Sequence, residues 1–337
     1  MIRNLICLLL ALSVVAAACN SEPETIATTT TTTSTTTTTV PPTTTTTIPP
    51  VEIENAPPKL MRAVTEFYDY ASARSESAPE LPKRLLASIT PQSTDTPVQG
   101  VASLGTFHEQ GVAVVEMDSD VFLAAKKGRK WLIVGGEWPS LGLPSYFGDG
   151  PRHVAVIGSD ARRGQNVTTS RADSIHFVAL DGKGGGAVVG LPRDSFLPIP
   201  GRGRTKITNS LATGGPESTM SALSEHTGLP LEGYVITGFA GFESLLTEVL
   251  GGVMVEVPFA INDRWAKVSL SAGQQLLDGA QALGFARARK TVPGGDLTRS
   301  KHQGVILLAA AGVVREMGLA AIPGLMEAAE PHLETDL

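Results

Sequence analysis

Hydrophobic and polar positions divide the chain into three stretches of different character. Residues 5–18 are an almost unbroken apolar run behind Arg3, residues 25–50 hold almost nothing apolar, and from residue 51 onward apolar positions recur at helical and strand periods. In KLMRAVTEFYDYASAR (59–74), Leu60, Val64, Phe67, Tyr68 and Ala71 share one face of a 3.6-residue period, which predicts a helix; a second short helix is predicted over 81–89. GVAVVEMD, DVFLAAKKG and KWLIVGGEW are apolar runs between polar turns and predict short strands. Beyond Pro151, RHVAVIG predicts a buried strand, DSIHFVAL and AVVGLP an antiparallel hairpin around the glycine-rich DGKGGG, and VMVEV another strand. GFAGFESLLTEVLGG puts Phe239, Phe242, Leu246 and Val249 on one helical face, with Gly251 as a stop. HQGVILLAAAGVV (302–314) is apolar nearly all round, which predicts a buried helix.

These elements predict two folded regions. Residues 51–148 read as a small α+β domain with Trp131 and Trp138 in its core and no motif that carries chemistry. Residues 149–337 alternate strands with helices, which predicts an α/β domain with helices on both faces of a sheet. At 337 residues there is chain enough for both cores.

The first fifty residues address the chain. As a helix, Leu5 to Ala18 would span about 21 Å, short of the ~30 Å of a bilayer core, which disfavours a simple transmembrane anchor. The run ends Ala16-Ala17-Ala18-Cys19, which resembles a bacterial lipobox with Cys19 as the lipidated first residue after a signal peptide of residues 1–18. The alternative is ordinary signal cleavage that leaves a free thiol. Cys7 departs with the signal, so no internal disulfide is available. Residues 19–50, rich in Thr and Pro, have too little apolar surface to offset the entropy of ordering and read as an extended linker. A globule on such a spacer, held to the membrane by a lipid anchor, works at the outer face of the cytoplasmic membrane.

Charge adds a local feature to this plan. The net charge is −6, so the whole surface is not that of a polyanion binder, and no nucleic acid is expected as a partner. Yet residues 160–206 carry eight Lys or Arg against four Asp, and residues 285–303 carry five against Asp296 alone. Asp160 stands where a strand ends, Asp173 where one begins, and Arg193 just past the end of a third, which is where sites form in α/β sheets. Arg287 and Arg289, two apart, would point the same way on an extended segment. Several planar guanidinium groups suit a ligand with more than one phosphate, and a hard cation such as Mg²⁺ binds through one or two carboxylates plus phosphate oxygens. Surface Arg–Asp pairs of ~0–1 kcal/mol each would give the same spacing, and from spacing alone both readings stay open. There is no HExxH, GxSxG, GxxxxGK[ST] or CxxC.

GSDAR (158–162), RAD (171–173), LPRDSFLPIPG (191–201), KITNS (206–210), ALGFARARK (282–290) and DLTRSKHQ (296–303) resemble, in order and spacing, the motifs of the LytR-CpsA-Psr domain over about residues 152–337. The resemblance implies an α-β-α sandwich with a mixed central sheet and an apolar tunnel for a prenyl chain. It implies an enzyme that moves a glycopolymer from a polyprenyl-pyrophosphate carrier to peptidoglycan, with Mg²⁺, or Mn²⁺ in its place. By motif, Asp160 and Asp173 would hold the metal. Arg171, Arg193, Lys206, Arg287, Arg289 and Arg299 would grip the pyrophosphate, with Gln303 beside the head group, and Asp160, Asp173 and Arg193 would carry the catalysis. A non-catalytic binder of such lipids and a pyrophosphate hydrolase are the alternatives. Three departures stand out: a lipobox in place of the usual transmembrane anchor, Lys290 where His is common, and a chain that stops at HLETDL where the family's domain usually continues, as in a minimal or truncated copy.

Overall fold

The computed structural model describes residues 50–337; the signal-like segment, Cys19 and nearly all of the Thr/Pro-rich linker lie outside the described residues. Two sheets organise them. The first is six-stranded in sequence order: β1 (Glu52–Glu54), β2 (Gln99–Phe107), β3 (Gln110–Met117), β4 (Asp120–Lys127), β5 (Lys130–Trp138) and β6 (Leu143–Tyr146). Helices α1 (Pro58–Ala71) and α2 (Lys83–Ser88) lie between β1 and β2 in the chain. The periodic face of α1 does what its spacing predicts: Leu60, Val64, Phe67, Tyr68 and Ala71 are all buried. Phe67 stacks on Trp138, with ring centroids 4.8 Å apart, so Trp138 is a core residue. Buried Asp120 accepts hydrogen bonds from the Tyr68 hydroxyl at 2.8 Å and the Ser140 N–H at 2.9 Å, which ties α1 to the end of β5.

The second sheet is mixed, in the order β17-β12-β7-β8-β9. It contains β7 (Arg152–Ser159), β8 (Ala172–Leu180), β9 (Gly186–Gly190), β12 (Leu231–Thr237) and β17 (Glu334–Thr335), with only β12 and β7 parallel. A ribbon, β10 (Phe196–Ile199) with β11 (Gly203–Lys206), leads into α3 (Thr208–Thr227), and both cover one face through Leu197, Ile199, Leu211 and Leu223. Helices α4 (Phe239–Ser244), α5 (Gly279–Arg287) and α6 (Asp296–Met317) cover the other. Behind them, β13 (Val253–Val257) pairs with β16 (Gly273–Leu277), and β14 (Ile261–Asp263) with β15 (Val268–Leu270). The arrangement is the sandwich of helices around a mixed sheet that the motifs imply.

Two elements differ from the pattern reading. The stretch after Thr237 is not one amphipathic helix: α4 ends at Ser244 and passes into a wider π-turn, Leu245–Val249, where the Thr247 hydroxyl accepts the Gly279 N–H at 2.9 Å. Helix α6 is not buried all round. Arg299, His302, Ile306 and Val314 are buried, while Leu297 and Leu308 are exposed, because one side lines a cavity and the other meets water. Among the described residues no single helix is long and apolar enough to cross a membrane.

The sheets share a core. Phe107, Val114 and Leu123 of the first pack with Val154 and Leu180 of the second, and Ile322 and Met326 of α7 (Ile322–Ala329) fill the same cluster. Helix α7 rests on β2 where Gly105 has no side chain; a Cβ there would overlap the carbonyl oxygen of Pro323. The carboxylates of Glu327 and Glu330 accept the N–H groups of Thr106 (3.1 Å) and His108 (3.0 Å) along that strand. Gly105→Ala is therefore expected to destabilise the fold by about 1–3 kcal/mol through overpacking. Thermal unfolding checks this; an unchanged melting temperature would contradict the packing.

Candidate active site

The charges that pattern alone leaves ambiguous are brought together by strand ends and one irregularity in pairing. On β7 and β8, Gly158 pairs with Ser174 but Ser159 with Ala172, so Asp173 is an extra residue, a β-bulge. Bulges redirect side chains, and here Asp173 and Ser174, although consecutive, both line one cavity. Asp160, just past β7, closes the loop to β8 by two bonds with Arg171: its N–H donates to the Arg171 carbonyl at 2.9 Å, and its Oδ1 accepts the Arg171 N–H at 2.8 Å. The Arg171 side chain is exposed.

Arg193 follows β9 in a turn held by the Thr208 N–H on its carbonyl at 3.0 Å. Its guanidinium donates to Asp173 through Nη1, and its Nε lies 3.7 Å from Asp296 Oδ1. That same oxygen is 2.8 Å from Arg299 Nη2 and 3.7 Å from Arg289 Nε, so three arginines converge on Asp296. The cluster is only partly satisfied. Asp296 Oδ1 is held by these ion pairs, while Asp296 Oδ2, Arg193 Nε and Arg299 Nε are buried without a hydrogen-bond partner, which leaves groups for a ligand to complete. Arg299 is 5% exposed; burial lowers its proton affinity and Arg193 adds to this, while Asp296 and Asp173 oppose it.

Arg287 and Arg289 do not share an extended segment. Arg287 is the last residue of α5, a helix begun by the reciprocal cap of Asp278 and Gln281, and its guanidinium lies 4.5 Å over the Phe239 ring. Arg289 lies beyond the helix and turns to Asp296. Lys206, half-exposed at the end of β11, pairs with Asp194 at 3.1 Å. Burial works to raise the proton affinity of Asp194, but the Lys206 pair outweighs it, with Arg193 and Arg289 helping, and the carboxyl is held below its usual range. Lys206 thus borders the same charge field.

Under this cluster lies a narrow cleft with a cavity volume of about 80 Å³. Val156, Phe242, Leu283, Ile306 and Leu307 form apolar walls, and Asp173, Arg287, Arg299 and Gln303 form its polar side. Gln303 Nε2 donates to the carbonyls of Ala286 (3.3 Å) and Asp173 (3.4 Å) and so spans α5 and β8. Of the residues singled out from sequence, Asp173, Arg193, Arg287, Arg289, Arg299 and Gln303 converge here. Asp160 and Arg171 form a pair at the neighbouring strand end, and Lys206 lies with Asp194. Two contributors escaped the sequence reading: Asp296, which the Asp-x-x-Arg spacing at a helix start could have flagged, and Phe239, which looked like ordinary helix packing.

Guanidinium groups and carboxylates thus stand at the mouth of an apolar cleft on a mixed-sheet sandwich. The chain belongs to the LytR_cpsA_psr family, whose model matches residues 141–337. It is 30% identical over 181 residues to the probable cell wall biosynthesis protein LcpB of Corynebacterium glutamicum, which covers 54% of this chain and 41% of that protein. It is 33% identical over 179 residues to the polyisoprenyl-teichoic acid–peptidoglycan teichoic acid transferase TagT of Bacillus subtilis, covering 50% of this chain and 54% of that one. The chain spans about half the length of the curated relatives it matches. Protein gbs0355 of Streptococcus agalactiae shares the fold, with a TM-score of 0.50 at 20% identity over 56% of this chain and 68% of that one.

The residues present fit a small hard cation. Asp160 and Asp173 offer oxygen donors of the kind such a cation takes, whereas Asp296 Oδ1 is already held by Arg193, Arg289 and Arg299. Among the described residues no three His, Cys, Asp or Glu converge as a ligand set, so a cation here would depend on phosphate oxygens to complete its shell.

Two buried histidines lie at the first half of α6, His302 on the helix itself and His176 beside it. His302 stacks on Phe285 with centroids 4.1 Å apart, and His176 Nε2 lies 3.2 Å from the Ser300 carbonyl. Burial holds both imidazoles below the ordinary range, against the opposing pull of the Ser300 and Phe285 carbonyls. Folded and unfolded chains are both neutral at these positions above about pH 6.5; below it the unfolded chain takes up protons first. The melting temperature is expected to fall as pH drops from 7 to 5, and His302→Phe, which keeps the stack, should remove part of that fall. An unaltered pH dependence in the variant would refute this.

Proposed function

We propose that the chain is a Mg²⁺-dependent phosphotransferase that moves a glycopolymer from a polyprenyl-pyrophosphate carrier to peptidoglycan at the outer face of the cytoplasmic membrane. The observation that carries the reading is the half-satisfied Asp173–Arg193–Asp296–Arg299 cluster at the mouth of an apolar cleft. The similarity to TagT, a teichoic acid–peptidoglycan transferase, supports it.

In this reading the prenyl chain enters the cleft between Phe242, Leu283 and Ile306, and Arg193, Arg287, Arg289 and Arg299 meet the pyrophosphate, with Arg171 and Lys206 at its margin. Catalysis of phosphoryl transfer is mainly positioning and charge stabilisation, which a fixed arginine cluster supplies. A peptidoglycan hydroxyl oxygen bonds to the phosphorus on the polymer side. The bridging P–O bond breaks, its electron pair leaves with polyprenyl phosphate, and the hydroxyl proton passes to one of the two carboxylates, Asp160 or Asp173. Mg²⁺, or Mn²⁺, would be held by the other together with phosphate oxygens and would withdraw charge from the leaving group.

Purified chain, a polyprenyl-pyrophosphate oligosaccharide, Mg²⁺ and peptidoglycan fragments are expected to give a phosphodiester-linked product and polyprenyl phosphate. Arg193→Ala and Asp173→Ala should each slow this by about 10²–10³-fold, as removal of a transition-state charge partner does. Release of free polymer phosphate without linkage would instead identify hydrolysis, and activity unchanged in both variants would remove the chemistry from this site.

The membrane attachment through Cys19 is part of the same proposal. Metabolic labelling with a fatty acid is expected to mark the parent chain and to be absent from Cys19→Ser; labelling that persists would sink it.

A further inference from the structure

Arg289 lies two residues past the end of α5. It is caught from outside the helix. Asp263 Oδ2 accepts the N–H groups of Arg289 and Lys290, both at 3.2 Å, and Oδ1 accepts those of Trp265 at 2.9 Å and Ala266 at 3.1 Å. Asp263 is 1% exposed and forms no ion pair among the described residues. A buried carboxylate normally needs a cation or a full set of donors, and here four backbone N–H groups are the set. They knot the β14–β15 turn to the segment that carries Arg289. The knot is braced outside: Lys290 Nζ lies 4.2 Å from the Trp265 ring centroid and the Arg264 guanidinium 4.3 Å from it. From the backbone so fixed, Arg289 reaches Asp296.

We propose that Asp263 is a positioning residue: it never touches the ligand but sets where Arg289 stands in the anion cluster. The inference rests on the pyrophosphate reading of that cluster. Local sequence could not reveal it, since Asp263 and Arg289 are joined only by the fold. An amide cannot replace the carboxylate, because Asn offers one acceptor oxygen and turns an NH₂ toward the remaining N–H donors. Asp263→Asn can therefore keep one pair of bonds but not both, and either loss frees one side of the knot.

The test is a double-mutant cycle on the whole chain, read as binding of geranylgeranyl pyrophosphate with Mg²⁺ and, separately, as melting temperature. Arg289→Ala and Asp263→Asn are each expected to weaken binding about tenfold, while in the Arg289→Ala background Asp263→Asn adds less than about twofold, the signature of coupled residues. A merely structural Asp263 would lower the melting temperature equally in both backgrounds and weaken binding additively, which would overturn the proposal. If Asp263→Asn does not fold, Asp263→Glu, which keeps charge and acceptors but shifts them by one methylene, takes its place under the same criterion. Full binding by Arg289→Ala would overturn the pyrophosphate reading and the positioning role together. Loss with Arg289→Ala but none with Asp263→Asn would overturn the positioning role alone.

Discussion

Three guanidinium groups, those of Arg193, Arg289 and Arg299, converge on one carboxylate and repel one another, and that repulsion constrains the residues around them. Two unit charges 4 Å apart near a protein surface interact by roughly 4 kcal/mol, so such a cluster persists only where carboxylates are held as closely as the cations. Asp173 and Asp296 do this from opposite sides of Arg193. One is delivered by a bulge in β8 and the other by the first turn of α6. The balance is incomplete by design of the geometry: enough negative charge to assemble the arginines, too few hydrogen bonds to satisfy them. In the proposed function a pyrophosphate would bring the missing acceptors.

How much of this was legible in the sequence depended on whether a feature is local. Helix α1 announced itself through five apolar positions at one period, and each is buried. The hairpin of β8 and β9 followed from a glycine-rich turn between two apolar runs. Family motifs pointed to Arg193, Arg287, Arg289, Arg299 and Gln303, which the fold brings to one place. The bulge at Asp173 escaped, because pairing register belongs to two strands and not to one. Asp296 escaped because an acid at a helix start has an ordinary explanation in the helix dipole. The burial of α6 was overread: its many small residues resemble a core helix in composition, yet a helix that borders a cavity leaves one flank to water.

Phe239 and α5 show how the apolar and charged halves of the site are joined. The ring that carries Arg287 also borders the cleft, so the same side chain touches both phases. Helix α5 can lie close against β15 because Gly284 has no side chain to meet Val268, which sets the height at which Arg287 leaves the helix. The π-turn after α4 has a comparable effect, since the Thr247 hydroxyl binds the N–H of the first residue of α5. Small adjustments in the layer behind the sheet thus reach the anion cluster through backbone rather than through long side chains.

The seating of α7 on β2 has a consequence for the order in which the molecule can be completed. β1 pairs with only the first three residues of β2, and the N–H groups of Thr106 and, just past the strand, His108 find partners only in Glu327 and Glu330, more than two hundred residues later in the chain. An unprotected edge is a template for pairing with other chains. Synthesis from the N-terminus therefore produces the first sheet before the residues that complete this edge exist.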